Sequence, residues 1–323
     1  MTLDDLRGYS AEKLAPLCAP YRQWRICGPQ LPSSGGVTLQ QILGMLESFD
    51  LAAIQSDPAD SIHLVAEASR LAFADRNFYL GDPDFVDSPV AELLSPDYLA
   101  GRAALIDPQR ALEQVSPGTP RAAIAWNFAA SEINDRTSTS HFSIVDQWGN
   151  AVSMTSSVQG AFGSQLMAGG FILNNQLTDF SFEPERDGSP VANQAAGQKR
   201  PLSSMTPLIV LDSQGRASML IGSPGGTRII AYVAQATLGV LDWGLDIQQA
   251  VAAPHFLART GALELERDTV LAEHAAALRE LGHEVRSSTL NSGLHGITIE
   301  YRDDNRLLSG GVDPRREGVA LGD

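Results

Sequence analysis

At the centre of the chain is the segment Thr139-Ser140-His141-Phe142-Ser143-Ile144-Val145-Asp146, where a cluster of hydroxyl residues runs into alternating apolar and small polar side chains. Alternation with a period of two is typical of a β-strand, and this segment has the pattern of a buried one. The preceding residues 136–138 are polar and predict a turn. A hydroxyl residue therefore stands where a flexible segment becomes rigid, which suits a reactive side chain.

This strand opens a predicted β-hairpin, whose second strand is residues 151–157 and whose turn is Gln147-Trp148-Gly149-Asn150. Farther along, apolar runs predict buried strands at residues 171–173, 208–211 and 218–221, and further strands at 284–285 and 296–301. Helices are predicted at residues 229–241, which are apolar on nearly every side, and between Asp268 and Gly282.

The part of the chain before Thr139 is predicted to be mainly helical. It holds a short helix capped by Thr2, a strand at residues 21–27, a loop at 32–36 and helices over 39–49, after Asp60 and from Ser95-Pro96. Residues 106–138 lack clear periodicity and predict a long, exposed connection that is either functional or cleavable. Strands preceded and followed by helices predict a layered α/β or α+β domain.

Composition excludes several classes of function. The 323 residues carry 23 basic and 38 acidic side chains, a net charge of −15, which argues against nucleic acid or an anionic membrane as the main partner. No apolar run is long enough to span a membrane, and the first residues lack the features of a signal peptide, so the compartment is left unknown. Two cysteines, Cys18 and Cys27, support neither a disulfide framework nor a zinc site, although a bridge between them remains open.

Several residues could take part in chemistry when they are considered one at a time. The loop at residues 222–226 could form an oxyanion hole or a carboxylate cradle, or it could simply begin a helix, but it lacks the patterns of nucleotide-binding loops. His141 and Asp179 could join a serine in a triad, although no nucleophile-elbow motif is present and a structural role for His141 is favoured. No metal motif occurs, and His63, His274 and His283 are expected to be structural or surface residues.

Four ordered blocks of sequence closely resemble the signature of the γ-glutamyltranspeptidases, a family of N-terminal-nucleophile hydrolases related to the cephalosporin acylases. The blocks are residues 139–163, Leu173-Asn174-Asn175-Gln176-Leu177-Thr178-Asp179-Phe180-Ser181, Lys199-Arg200-Pro201-Leu202-Ser203-Ser204-Met205-Thr206-Pro207 and Gly222-Ser223-Pro224-Gly225-Gly226-Thr227-Arg228. Residues 32–36 and 313–316 extend the similarity to essentially the whole chain. The resemblance implies an α+β fold, namely the four-layer αββα sandwich of that superfamily.

The resemblance also implies how the chain is organised. Residues 1–138 would be the C-terminal part of a large-subunit region, and residues 139–323 a small catalytic subunit released by self-cleavage between Ser138 and Thr139. Together they would form one αββα domain, in a chain shortened at its N-terminus relative to the family. Thr139 would act as the nucleophile and its α-amino group as the base, because such an amine titrates near pH 8. Neither a cofactor nor a metal is implied.

Site residues follow from the same resemblance. Ser157 matches a threonine that orients the nucleophile, and Gly225 and Gly226 match the oxyanion glycines. The groups expected around the substrate's α-amino and α-carboxylate ends are Gln159, Gln176, Asp179, Ser203 and Ser204. Gln159 replaces an asparagine that is common in the family. The family's carboxylate-binding arginine comes from an earlier region, and structural roles are at least as well supported for Arg200 and Arg228.

Three functions remain open at this level. The first is an autoprocessing γ-glutamyl hydrolase or transferase that acts on glutathione and similar compounds, with water or an amino acid as the acceptor. The second is a glutaryl or cephalosporin acylase-like amidase. The segment of residues 182–198 is shorter than the one that forms a lid in some family members, which predicts a more open pocket that would admit such acyl groups. The third is a catalytically silent homologue that serves as a structural module. In the first two, the two self-cleaved chains are each other's partners.

Overall fold

The structure, a computed structural model, describes residues 2–54, 58–121, 127–131, 138–302 and 305–322. Its helices, in chain order, are α1 (Leu3–Arg7), α2 (Gly35–Leu46), α3 (Pro58–Tyr79), α4 (Val90–Leu93), α5 (Pro96–Ala103), α6 (Ile229–Leu241), α7 (Ile247–Ala252) and α8 (Ala275–Glu280). Its strands are β1 (Leu17–Tyr21), β2 (Trp24–Gly28), β3 (Thr139–Val145), β4 (Ala151–Ser157), β5 (Met167–Ala168), β6 (Phe171–Ile172), β7 (Glu185–Arg186), β8 (Ser189–Pro190), β9 (Leu208–Leu211), β10 (Ala217–Gly222), β11 (Phe256–Leu257), β12 (Leu263–Glu266), β13 (Val285–Ser288), β14 (His295–Arg302) and β15 (Asn305–Val312). Short 3-10 helices lie at Gln176–Asp179, Gly226–Arg228 and Val270–His274.

A six-stranded sheet forms the centre of the fold. Its strands follow the order β1-β2-β9-β10-β14-β15, and each neighbouring pair is antiparallel. Helices α2 and α6 pack on one face, where Met219 and Ile221 of β10 join the main hydrophobic core. Helix α3 lies against α2, and α7 lies against α6. Burial of this apolar face, at roughly 25 cal/mol for each Å² removed from water, is the main force that holds the layers together.

The hairpin of β3 and β4 lies on the opposite face of this sheet. Because side chains alternate along a strand, Gly222 of β10 faces away from the core that contains Ile221. The ring of His141 packs on Gly222 so closely that an added Cβ would lie 2.3 Å from its Cε1 atom. Ser153 Oγ also donates to the carbonyl oxygen of Ile221 at 3.2 Å. Helices, sheet and hairpin therefore form successive layers in the order expected of an αββα sandwich, and the α+β class is confirmed.

The predicted hairpin is confirmed, and its register matters for the site. The carboxylate of Asp146 accepts the backbone N–H of Asn150 at 2.8 Å, and Gly149 adopts a φ of +91°, which favours glycine. This turn pairs Thr139 directly with Ser157 across the two strands. Both side chains face the six-stranded sheet, so the register alone brings the two hydroxyl groups together.

Most predicted helices are confirmed, and their caps have the expected chemistry. The Oγ1 atom of Thr2 accepts the backbone N–H of Asp5 at 3.3 Å at the start of α1. Ser95 accepts the backbone N–H of Tyr98 at 3.4 Å, with Pro96 in the first turn of α5. Helix α3 begins slightly before the predicted position, and α2 ends before the predicted residue 49. None of the described helices is long and apolar enough to cross a membrane.

Two strand predictions are wrong. Residues 21–27 do not form one strand, because the chain turns at Arg22, whose φ is +52°, and β1 and β2 pair as a hairpin. Cys18 and Cys27 face each other across this hairpin and form a disulfide. Residues 171–173 are not buried, since among the described strands β6 pairs only with the short β5, and both are exposed.

Two other segments differ in part from the prediction. The helix expected between Asp268 and Gly282 is split into the 3-10 turn Val270–His274 and the short α8. The connection at residues 106–138 is described only for residues 106–121, 127–131 and 138. Its first part lies at the surface but is anchored to α3, because Glu67 accepts the backbone N–H of Leu112 at 2.8 Å and Asp75 that of Gly118 at 2.7 Å.

Buried histidines join distant parts of the chain. The Nδ1 atom of His63 lies 2.7 Å from the Nε2 atom of His283. The Nε2 atom of His255 lies 2.6 Å from the hydroxyl oxygen of Ser292, which in turn donates to Asp313. Burial lowers the pKa of His255 to about 3, with the charge of Arg315 adding to the effect and that of Asp313 opposing it. Burial likewise lowers the pKa of His283 to about 4, with smaller contributions from His63 and Arg70. His255 and His283 are therefore neutral, and His63 is buried against His283, in agreement with the structural role predicted for His63 and His283.

Stability is expected to fall on mild acidification. A histidine with a lowered folded-state pKa takes up its proton first in the unfolded chain, so its contribution is complete above about pH 6.5 and is lost as pH falls toward the folded pKa. For His255 and His283, the free energy of unfolding should fall by on the order of 1 kcal/mol each for every pH unit of acidification. Burial raises the pKa of Asp75, which offsets part of this loss.

Urea midpoints at pH 7 and pH 5 test this expectation. The midpoint should be clearly lower at pH 5, and His255→Gln should be less stable at pH 7 but less sensitive to pH. Equal midpoints at both pH values for the unmodified chain would contradict the assignment of neutral buried histidines.

Candidate active site

A cavity lies at the N-terminal end of β3, and most of its wall is polar. The residues predicted from sequence that line it are Thr139, Ser157, Gln159, Gln176, Asp179, Ser203, Ser204 and Gly226. The other described residues in its wall are Arg76, Ser131, Asn193, Leu202, Met205, Thr227 and Ile229. Within this described lining, one side chain is acidic and one is basic, Asp179 and Arg76. One charge of each sign among amides and hydroxyls suits a small zwitterion.

The hydroxyl of Thr139 is held by Ser157. Thr139 is only 8% exposed, and its Oγ1 atom donates to Ser157 Oγ at 3.0 Å. Ser157 Oγ also accepts the backbone N–H of Gln159 at 2.9 Å and donates to the carbonyl oxygen of Ser138 at 3.3 Å. One hydroxyl therefore links the Thr139 side chain to the carbonyl group of the bond predicted to be cut.

Amide side chains hold Asp179 in place. Gln159 Nε2 donates to one carboxylate oxygen at 2.6 Å, and Gln176 Nε2 donates to the other. Asn193 Nδ2 donates to the carbonyl oxygen of Asp179 at 2.7 Å. The amide oxygen of Gln159 is buried and has no hydrogen-bond partner among the described residues. This oxygen and the carboxylate of Asp179 are acceptors suited to an ammonium group.

Ser203 and Ser204 are fixed by residues from the first part of the chain. The carbonyl oxygen of Ser203 accepts the backbone N–H of Ser34 at 2.8 Å and its hydroxyl at 2.7 Å. Arg76 Nη2 donates to Ser204 Oγ at 2.8 Å. Two adjacent hydroxyls beside a guanidinium form a wall that suits a carboxylate.

The loop at residues 222–226 requires glycine at its end. Gly225 has a φ of +144° and Gly226 a φ of +61°, both in the region that side chains disfavour. Tyr232 lies behind Gly225, where an added Cβ would be 2.8 Å from its ring. Gly226 lines the cavity and begins the helical turn that leads into α6. Backbone N–H groups at such a turn suit an oxyanion, and this role stays a prediction for both glycines.

His141 is not part of the cavity wall. Its Nδ1 lies 2.8 Å from Thr155 Oγ1 and its Nε2 lies 3.1 Å from Ser143 Oγ. Burial, with a smaller contribution from His295, lowers the pKa of His141 to about 3. A neutral imidazole packed behind Gly222 is a structural residue, which agrees with the interpretation favoured from the sequence.

The two arginines considered from the sequence also lie outside the cavity lining. Arg200 pairs with Asp82 and Asp84 at 2.9 Å each, and Arg228 pairs with Glu264 at 3.0 Å. These ion pairs support structural roles. Among the described residues, no group of three or more His, Cys, Asp or Glu side chains is arranged to hold a metal ion.

Arg76 and Asn193 were not identified from the sequence. Arg76 stands four residues after Ala72 and eight after Ala68, on the apolar stripe that predicts the buried side of α3. A charged residue on such a stripe is a signal for a buried polar contact. Asn193 gives no such signal, because it lies in an irregular segment.

Comparison with known proteins gives consistent matches. The profile of the gamma-glutamyltranspeptidase family matches residues 1–323. The chain is 34% identical over 335 residues to the glutathione hydrolase proenzyme of Bacillus subtilis strain 168, covering 100% of this chain and 55% of that protein. It is 35% identical over 320 residues to the acylase ACY 1 proenzyme of Pseudomonas sp. strain SE83, covering 98% and 53%.

A solved structure of cephalosporin acylase from Bacillus halodurans shares the fold, with a TM-score of 0.82, 24% identity and coverage of 98% of this chain and 54% of that chain. The chain spans about half the length of the curated relatives it matches. These matches confirm the resemblance that the four sequence blocks indicated.

Proposed function

Since the chain belongs to the gamma-glutamyltranspeptidase family, we propose that it cleaves itself before Thr139 and then hydrolyses or transfers γ-glutamyl groups through that residue. The proposal rests on one observation: Thr139 and Asp179 line the same cavity. A nucleophile and an acceptor for an amine, placed in one pocket, suit an amide whose acyl group is an amino acid.

The first step of the proposal is self-cleavage. Thr139 Oγ1 attacks the carbonyl carbon of Ser138 while its proton moves to Ser157 Oγ, and Ser157 passes its own proton on to the carbonyl oxygen, where negative charge would otherwise develop. The bond to the Thr139 nitrogen breaks, the nitrogen takes up a proton, and an ester joins the two residues. Water then hydrolyses the ester, which leaves a carboxylate on Ser138 and restores the Thr139 hydroxyl beside its free α-amine.

The second step reuses the same hydroxyl. The new α-amine titrates near pH 8, so a sufficient fraction is neutral at pH 7 to accept the hydroxyl proton, and no histidine is required. Attack on a γ-glutamyl amide gives an ester on Thr139 and releases the amine. Water completes hydrolysis, whereas an amino acid completes transfer. Gly225 and Gly226 would donate backbone N–H groups to the oxyanion.

The polar lining supports an amino-acid headgroup as the recognised part of the substrate. Asp179 and the amide oxygen of Gln159 would receive the α-ammonium group, and Ser203 and Ser204 would donate to the α-carboxylate. The glutathione hydrolase names of several relatives favour glutathione and related γ-glutamyl compounds as substrates.

An acylase-like activity is the second candidate. It is favoured by the similarity to the acylase ACY 1 proenzyme over nearly the whole chain. A glutaryl group has the length and terminal carboxylate of a γ-glutamyl group but lacks its amine. The two activities therefore differ in their need for Asp179.

Replacing Asp179 with asparagine tests this difference. With γ-glutamyl-4-nitroanilide, Asp179→Asn should raise KM roughly 30- to 150-fold, because a charged hydrogen bond of about 2–3 kcal/mol is lost. With glutaryl-4-nitroanilide, KM should change little. The matched control is Asp187→Asn, an exposed aspartate outside the cavity lining that should behave as the unmodified chain does.

The outcomes separate the three hypotheses. Turnover of only the glutaryl anilide would support the acylase. Turnover of neither anilide would contradict both enzymatic proposals and support a silent module. An equal rise in KM for both anilides in Asp179→Asn would contradict the proposed amine site.

A further inference from the structure

Helix α3 places a buried guanidinium in the wall of the active-site cavity. Arg76 is 4% exposed and lies in the last turn of the helix. Its Nη2 atom donates to Ser204 Oγ at 2.8 Å, its Nε atom donates to Ser34 Oγ at 2.9 Å, and its Nη1 atom donates to Asn77 Oδ1 at 2.9 Å. One side chain therefore connects three elements: α3, the residue before α2 and the Ser203–Ser204 segment.

These contacts determine the direction of two hydroxyl protons. A guanidinium has donors and no acceptor, so Ser34 and Ser204 must accept from Arg76. The Ser34 hydroxyl in turn donates a hydrogen bond to the carbonyl oxygen of Ser203 at 2.7 Å. Ser204 lines the cavity, and none of the described residues accepts its hydroxyl proton. That proton is therefore available to a ligand.

The wall around Ser204 is held rigidly. Ser203 and the segment before α2 exchange backbone hydrogen bonds, with Pro32 accepting at 2.9 Å and Ser34 donating at 2.8 Å. Ser33 Oγ donates to the carbonyl oxygen of Met205 at 2.6 Å. A donor held by such a framework keeps its direction without a ligand, which lowers the cost of ordering it when the ligand binds.

We propose that Arg76 is a positioning residue that makes the cavity selective for acyl groups ending in a carboxylate. It aims the Ser204 hydroxyl into the cavity and supplies positive charge at this wall. The inference rests on the proposed function and specifies its substrate class. Asp179 would bind only the amine of a γ-glutamyl group, whereas Arg76 would help to bind the carboxylate that γ-glutamyl and glutaryl groups share.

Ligand binding tests the inference independently of turnover. The probes are L-glutamate and L-isoglutamine, which has the same shape but carries a neutral α-carboxamide. Calorimetry on the unmodified protein should show at least a tenfold preference for L-glutamate. Arg76→Gln should weaken L-glutamate binding about tenfold or more and leave L-isoglutamine binding nearly unchanged. Arg76→Lys retains the charge but cannot reproduce both serine contacts, so part of the preference should remain.

A double-mutant cycle tests whether Arg76 acts through Ser204. In a Ser204→Ala background, Arg76→Gln should have much less effect on L-glutamate binding than it has alone. The matched control is Arg70→Gln, a buried arginine of the same helix that pairs with Glu67 at 2.6 Å and does not line the cavity. It should lower stability and leave the ligand preference unchanged.

Three results would overturn the inference: no preference for L-glutamate in the unmodified protein, equal weakening of the binding of both ligands by Arg76→Gln, or additive effects in the double-mutant cycle.

Anilide kinetics on the same proteins distinguish the failure of this inference from the failure of the proposed function. In a turning-over enzyme, Arg76→Gln should raise KM for γ-glutamyl-4-nitroanilide while kcat changes little. Selective L-glutamate binding without turnover would contradict the proposed function alone, whereas turnover with an unchanged preference in Arg76→Gln would contradict the inference alone.

Discussion

Replacing Thr139 with alanine should leave the chain as one polypeptide of 323 residues and reduce γ-glutamyl anilide turnover by at least about 10³-fold. The Oγ1 atom is the proposed nucleophile in both steps, and in the described structure it is the hydroxyl that Ser157 connects to the Ser138 carbonyl. Alanine removes this atom and little else. Gel electrophoresis reports the cleavage, and nitroaniline release reports the turnover.

Two variants serve as controls for this result. Thr139→Ser retains the hydroxyl and should still cleave itself, although more slowly because the side chain is less constrained. Ser140→Ala removes the neighbouring hydroxyl, which is exposed on the outward side of β3, and should cleave at the unmodified rate. Cleavage in Thr139→Ala would remove Thr139 from the proposed mechanism.

Replacing Ser157 with alanine should slow self-cleavage by about 10²-fold. Its hydroxyl accepts from Thr139 at 3.0 Å and donates to the carbonyl oxygen of Ser138 at 3.3 Å, so it assists both deprotonation of the nucleophile and stabilisation of the oxyanion. The variant should nevertheless fold, because alanine leaves the strand pairing of β3 and β4 intact. The time course of conversion from one band to two measures the rate.

Conservative and neighbouring substitutions complete this test. Ser157→Thr keeps the hydroxyl and introduces the residue that the family resemblance places here, so cleavage should remain within a few-fold of the unmodified rate. Ser156→Ala changes the exposed serine on the opposite side of β4 and should have no effect. A Ser157→Ala chain that converts as fast as the unmodified one would show that the Thr139 hydroxyl needs no partner.

The sequence predicted the β3–β4 hairpin because two local signals agree there. Alternating side chains define the strands, and Asp146 with Gly149 supplies the turn that fixes their register. That register brings Thr139 beside Ser157, the residue to which the family resemblance had assigned the role of orienting the nucleophile. The β1–β2 hairpin was missed because its turn places Arg22, rather than glycine or asparagine, at a positive φ.

Burial was harder to predict than strand formation. Residues 171–173 are apolar, yet β5 and β6 form a separate exposed pair instead of joining the central sheet. The apolar composition of a short segment does not determine which surface it meets, since that depends on the rest of the fold.

The site itself was predictable only where the family resemblance supplied it. Gln159 and Gln176 both hold Asp179, but no spacing rule indicates that a strand end and a 3-10 turn converge on one carboxylate. Arg76 lies more than a hundred residues before Ser204 and reaches it through the packing of α3, which the resemblance did not include. Tertiary packing, rather than local pattern, determines these contacts.

The measurement that tests the account most directly is the intact mass of the purified, unmodified protein under denaturing conditions, combined with N-terminal sequencing. The account predicts two chains, residues 1–138 and residues 139–323, with Thr139 as the first residue of the second chain. A single chain of 323 residues, or a cut at any other bond, would contradict the assignment of Thr139 as the self-released nucleophile.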